Sequence, residues 1–136
     1  MARCPCGVGD RYRECCGRLH SGEAAAATAA ELMRSRFSAF AREDEAYLLN
    51  TWHPATRPER VGFEDGPRWT RLEIVREEAG GPDDDRGVVE FRAHYLADSG
   101  PESRPGSQPG VLHEVSRFVR HDGAWVYVRG KIITGG

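Results

Sequence analysis

The chain has 136 residues, 39% of them hydrophobic, and its 19 basic and 21 acidic side chains leave a formal net charge of −2. That is the size of one globular domain with a short appended module, and it excludes two full domains. The even charge balance gives no reason to expect a nucleic-acid partner or a membrane surface. Lysine is confined to Lys131, and coding bias explains the arginine excess as readily as anion recognition does. No run approaches the roughly 18 apolar residues of a membrane span, and "MARCPCG" lacks the apolar stretch of a secretory signal. The expected setting is therefore cytoplasmic, where thiols stay reduced and clustered cysteines hold metal more often than they form disulfides.

All the cysteines fall at the start, in "RCPCGVGDRYRECCG", as Cys4, Cys6, Cys15 and Cys16. Four thiolates can fill the tetrahedral shell of one zinc ion and close the site to water, which makes it structural. Pro5 limits the backbone between the first two ligands, and Gly7, Gly9 and Gly17 permit the positive φ of a knuckle. Arg3, Arg11, Arg13 and Arg18 lie close enough to offset the net −2 of such a centre. The spacing leaves other readings open: a redox-active thiol cluster, four unconnected cysteines, or a metal site in which His20 replaces Cys16.

"CPCGVGDRYRECCG" resembles the SEC-C motif, best known at the C-terminal end of the translocase motor SecA. Cys4, Pro5, Cys6, Gly7, Gly9, Tyr12, Cys15, Cys16 and Gly17 match; Val8 and Asp10 depart from the usual serine and lysine. The resemblance implies Cys4, Cys6, Cys15 and Cys16 as zinc ligands, with Cys16 where SecA has histidine.

The stretch after this module reads as helical. Ser21 and Thr28 are candidate caps, with Glu31 at capping-box spacing from Thr28. Met33, Phe37 and Phe40 recur at helical spacing, broadened by Leu32 and Ala41. Glu43-Asp44-Glu45 breaks into a second short helix carrying Tyr47, Leu48 and Leu49, which Pro54 ends near Trp52-His53. Residues 69–76, 88–95, 111–120 and 124–133 then read as strands. "HDG" at 121–123 predicts a tight hairpin, whereas 80–87 and 98–110 read as loops, the second proline-rich and expected to be the most mobile.

Helices followed by hairpin-linked strands predict an α+β domain with helices on one face of an antiparallel sheet. Curved around its helices, such a sheet is the NTF2-like (cystatin-like) cone. The expected organisation is a zinc module at 1–20 and a cone at 21–136. "GEAAAATAAELMRSRFSAFAREDEAYLLNTWHPATRP" and "LHEVSRFVRHDGAWVYVRG", behind an N-terminal SEC-C motif, resemble the bacterial YchJ-like proteins. The resemblance implies an NTF2-like domain after the zinc module and carries no catalytic residue over. Some members bear a second SEC-C motif C-terminally; with one in this sequence, the expected role is one that a single module performs.

Within the cone, Arg36 sits at the edge of the apolar helical stripe. An interior arginine needs a partner, and Glu114 is the expected one. In strand 111–120, Leu112, Glu114, Ser116 and Phe118 share a face, which Phe118 marks as inward. Trp52 and His53 are placed at the pocket rim. The candidate pocket is thus Arg36, Trp52, His53, Glu114 and Ser116. Phosphate loops, nucleophile elbows and H-E-x-x-H are absent, so the leading expectation is a non-catalytic zinc-binding adaptor. It would meet a protein partner through Arg11 and Arg13, a chaperone-like or ribosome-associated one by similarity to the SecA motif. The alternative is an NTF2-like enzyme or sensor holding a small molecule in the cone. A homodimer through the sheet is a further expectation.

Overall fold

Thr28 opens the longest helix, α2 (Ala29–Arg42), in the computed structural model, which describes residues 3–7, 11–63, 67–98 and 107–133. The Thr28 hydroxyl accepts from the Glu31 amide at 3.0 Å, and the Glu31 carboxylate accepts from the Ala27 amide at 3.1 Å. Both bonds satisfy donors that a helix start leaves without partners. The reciprocal bond reaches one residue beyond the cap, to Ala27 rather than Thr28. Ser21 does not cap this helix; it closes the C-terminal end of α1 (Cys16–His20). Glu43, with φ 57°, ends α2, and the Asp44 carboxylate then caps α3 (Glu45–Asn50) by accepting from the Tyr47 amide at 3.2 Å.

The helical stretch stops short of Trp52-His53 because that segment pairs with the sheet. The Tyr127 amide donates to the Thr51 carbonyl and the His53 amide to the Tyr127 carbonyl, both at 2.8 Å. Trp52 thereby makes an isolated parallel bridge to Tyr127.

Four antiparallel strands in the order β1-β2-β3-β4 form the sheet: β1 (Arg68–Ala79), β2 (Arg86–Asp98), β3 (Ser107–His121) and β4 (Ala124–Ile132). The β3–β4 connection is the two residues Asp122 and Gly123, with φ of 52° and 85°, a primed turn whose twist suits a hairpin. The loop expected at 98–110 is shorter than its composition suggested, because Asp98 pairs with Ser107 and Tyr95 with Gly110. A Cβ at Gly110 would run into the Tyr95 ring, so the glycine is where the aromatic lies across the strand. The middle of that segment, on which the expectation of mobility falls, lies outside the described residues.

Register decides which face of β3 looks inward. Leu112, Glu114, Ser116 and Phe118 stand opposite Ala93, Phe91, Val89 and Gly87. That face meets Ala29, Leu32, Met33 and Phe37 of α2, and the layer between them is the main core. The helix approaches the β1–β2 hairpin closely: the Ala29 amide donates to the Gly80 carbonyl at 2.9 Å, and a Cβ on Gly80 or Gly87 would meet the Ala29 methyl at 2.9 Å.

The opposite side of α2 is buried too. Ser35, Ser38 and Ala39 are all under 1% exposed, at spacings that place them away from Met33 and Phe37. What covers them is the N-terminal cysteine module. The helix is therefore the middle layer of three, and no helix among the described residues is long and apolar enough to cross a membrane.

Candidate metal centre and cone cavity

The Cys4, Cys6, Cys15 and Cys16 sulfurs all lie within 4.8 Å of one another, three of the residues buried and Cys15 partly so. Each is a thiol rather than half of a disulfide. The fold that gathers them is local. Gly7 (φ 84°) turns the chain after Cys6, and its amide donates to the Cys4 carbonyl at 3.1 Å. The 3-10 turn Tyr12–Glu14 then delivers Cys15 and Cys16 at the start of α1. Gly17 lies inside α1 and serves by close approach, not by a positive φ: a Cβ there would stand 2.7 Å from the Tyr12 carbonyl oxygen. Gly9 falls outside the described residues.

Tetrahedral thiolate ligands around one ion stand about 3.8 Å apart, from a metal–sulfur bond of about 2.3 Å. The observed cluster fits that spacing, with Cys6 Sγ and Cys15 Sγ at 3.5 Å. Its donor set is soft and oxygen-free, the chemistry that suits thiophilic metals. As bare thiols Cys15 and Cys16 resist ionisation. Burial, then the neighbouring Cys6 thiol, pushes Cys15 up to about 11. Cys16 is also raised, first by its bond to Cys6 and then by burial.

The module is fixed to α2 by groups that the sequence did not single out. Ser38 Oγ lies 3.4 Å from Cys4 Sγ, which gives that sulfur a partner from outside the cluster. His20 stands apart from the sulfurs, and both its ring nitrogens are engaged: Nδ1 with the Tyr12 hydroxyl at 2.5 Å and Nε2 with the Ser35 carbonyl at 2.8 Å. It joins the module to the helix and is not among the residues whose donor atoms cluster. Arg42, one turn beyond Ser38, places its guanidinium 3.7 Å from the centre of the Tyr12 ring. Arg3, Arg11, Arg13 and Arg18 remain exposed around the cluster, Arg11 beside Glu14 at 3.7 Å and Arg18 Nε donating to the Glu14 carbonyl at 3.0 Å.

On the other side of α2, a cavity of about 240 Å³ opens between helix and sheet. Four of the five pocket residues expected from sequence line it: Arg36, Trp52, Glu114 and Ser116. His53 does not. Its backbone is tied to β4, its Nδ1 accepts from the Ala55 amide at 3.0 Å, and its ring lies 4.9 Å from that of His121. No histidine is among the lining residues. Tyr127 and Trp69 complete the wall and were missed, because their strands mix polar and apolar residues on both faces.

Arg36 is 3% exposed, yet no described carboxylate comes within 4.0 Å of it, so the expected contact pair with Glu114 does not form. Arg36 Nη1 donates instead to the Leu48 carbonyl and Thr51 Oγ1, each at 2.8 Å. Its guanidinium lies between the Trp52 and Tyr127 rings, 4.9 and 4.7 Å from their centres. Burial lowers it to about 10, and Glu114 opposes that shift only through its field. Glu114 lies over Gly130, where a Cβ would collide with the carboxylate. Its Oε1 accepts from the Ser116 hydroxyl at 2.9 Å and from the Tyr127 hydroxyl at 3.5 Å.

Comparison with known proteins places this arrangement. A protein of Streptomyces avermitilis called UPF0225 is 52% identical over 130 residues, spanning 96% of this chain and 84% of that protein. The solution structure of a SEC-C motif containing protein from Rhodopseudomonas palustris superposes with a TM-score of 0.77 at 29% identity, covering 98% of this chain and all of that one. A crystal structure of a SEC-C motif containing protein from Psychrobacter arcticus, at 24% identity and a TM-score of 0.71, covers this whole chain and 85% of its own, and shows the shared fold. The family described as "YchJ, middle NTF2-like domain" matches residues 28–130, which take in α2, α3, nearly all of the sheet and the cavity between them. The chain belongs to the YchJ family, its NTF2-like domain preceded by the cysteine module.

Proposed function

We propose that Cys4, Cys6, Cys15 and Cys16 close around one structural zinc ion in a non-catalytic binding protein. The knuckle they form meets a protein partner through its exposed arginine edge. The sulfur cluster carries the reading: four thiols within 4.8 Å, mostly buried, leave a bound ion no open position for a reacting water. The module buries its thiols and turns Arg11 and Arg13 to solvent, an arrangement that suits recognition more than chemistry. Zinc with four thiolates carries −2, and the surrounding arginines balance it while still offering donors outward. Similarity to the SecA motif points to a chaperone-like or ribosome-associated partner, in the cytoplasm.

The test compares what crosslinks to the full chain with what crosslinks to the Arg11→Ser/Arg13→Ser variant. Both positions are exposed, so the fold should keep its stability within about 0.5 kcal/mol. We expect a specific partner whose capture falls at least about tenfold in the variant, equivalent to roughly 1.4 kcal/mol of binding. Equal capture by both chains would overturn the arginine-edge reading, as would the recovery of no specific partner.

A further inference from the structure

The cone cavity holds donors that the described residues leave unused. Arg36 donates only through Nη1; its Nε and Nη2 reach no acceptor among the described residues. Trp52 Nε1 is buried and is the side-chain donor without a hydrogen-bond partner among the described buried groups. The Arg36 guanidinium lies 4.9 Å from the Trp52 ring centre, and both side chains line the cavity. A buried donor without an acceptor costs free energy, and a buried cation without a contact anion costs more.

Elsewhere on the same lining the demand is reversed. Glu114 Oε1 is held by Ser116 and Tyr127, while Oε2 accepts from no described group. The remaining lining is apolar and largely aromatic, including Phe37, Phe40, Trp69 and Phe91. A cavity of roughly 150 Å³ takes one benzene ring. The 240 Å³ here therefore takes a ring with substituents at two ends.

We propose that this cavity binds a small aromatic hydroxy acid. The carboxylate accepts from the free nitrogens of Arg36 and from the Trp52 N–H. The ring packs on the aromatic wall, and the hydroxyl donates to Glu114 Oε2. Each idle group on the walls then has a partner, and the buried guanidinium gains the contact anion that Glu114 does not supply. A neutral phenol would leave the Arg36 charge unbalanced. An aromatic cation would be repelled by it. This site is separate from the cysteine module and does not depend on the zinc reading.

The experiment titrates the full chain with 2-, 3- and 4-hydroxybenzoate, using p-cresol and benzylamine as controls. Calorimetry and protein NMR report binding, and thermal unfolding reports the accompanying stabilisation. The three isomers place the hydroxyl at different distances from the acid, so one should span the gap to Glu114. We expect that isomer to bind with Kd below about 1 mM, and both controls to bind at least about tenfold more weakly. Trp52→Phe keeps the ring stack on Arg36 and removes only the N–H, and should weaken binding about tenfold. Ala93→Leu adds bulk to the cavity wall and should abolish it; Trp52→Phe decides the matter if that chain does not fold. The proposal is overturned if no isomer binds below about 1 mM, if p-cresol matches the acids, or if Trp52→Phe leaves affinity unchanged.

Discussion

Arg36 and Glu114 show how the cavity's character is set by single residues. Each is a charge held inside the fold, yet the two stay apart, one between aromatic rings and the other over Gly130. Tyr127 stands between these environments, its ring beside the guanidinium and its hydroxyl on the carboxylate. Burial first, and then the Glu114 charge, pushes the Tyr127 phenol up to about 12; burial does the same to Tyr47. Both folded values lie above the ordinary value of 10.0. The stability these phenols contribute is fully present below pH 10 and is lost as pH rises from there towards about 12. Phenolate absorbance followed with pH should therefore show Tyr47 and Tyr127 titrating late and together with unfolding, with Tyr12, raised first by burial, also above the ordinary value. Tyr127→Phe should remove one of them and lessen the alkaline loss of stability, whereas four tyrosines titrating near the ordinary value would contradict this description of the wall.

At this scale much of the site was legible. Parity along β3 placed Glu114 and Ser116 on the face that Phe118 anchors, and the edge of the helical stripe placed Arg36. Trp52 was legible as a rim residue, but its neighbour His53 was not excluded by anything in the sequence. What removes it is the pairing of Thr51 and His53 with Tyr127, seventy-odd positions along the chain. Ser35 and Ser38 were overlooked because small polar residues on a helix ordinarily mark its solvent side. Here they face a second packed layer.

Among the elements, α2 does the most positioning. It presents Arg36 and Phe37 to the sheet, Ser35 and Ser38 to the cysteine module, and its N-terminus to the β1–β2 hairpin. Thr28 fixes where it begins. Thr28→Ala removes the bond to the Glu31 amide and should lower stability by about 1 kcal/mol. Urea denaturation should show this as a lower midpoint with an unchanged slope; an unchanged midpoint would mean that packing against Gly80 and the sheet alone sets the helix start. Local signals of this kind, the Thr28 cap, the break at Glu43-Asp44 and the Asp122-Gly123 turn, were readable because each is enforced within a few residues. Strand ends were not. β3 begins inside a proline-rich stretch that reads as loop, and only its partners on β2 draw Ser107–Gly110 into the sheet.

Over the whole molecule, the cysteine module is a layer of the fold and not a tethered appendage. Cys4 meets Ser38, His20 bonds to the Ser35 carbonyl, and Arg42 covers Tyr12, so α2 is held from both sides. Ligand exchange at the sulfurs should then be felt in the cone, since whatever binds only the folded knuckle stabilises every element packed on it. The sequence identified the four cysteines and the domain behind them, but not this mutual packing, which rests on contacts between residues 15 to 34 positions apart.

The most direct test measures zinc per chain beside the number of reactive thiols, on protein purified without chelator, and then the melting temperature before and after the metal is stripped. One zinc, four protected thiols, and a fall of about 5 °C or more for the whole chain on stripping are expected. No bound metal with four freely reactive thiols would contradict this expectation, and so would a cone that melts at the same temperature with and without the ion.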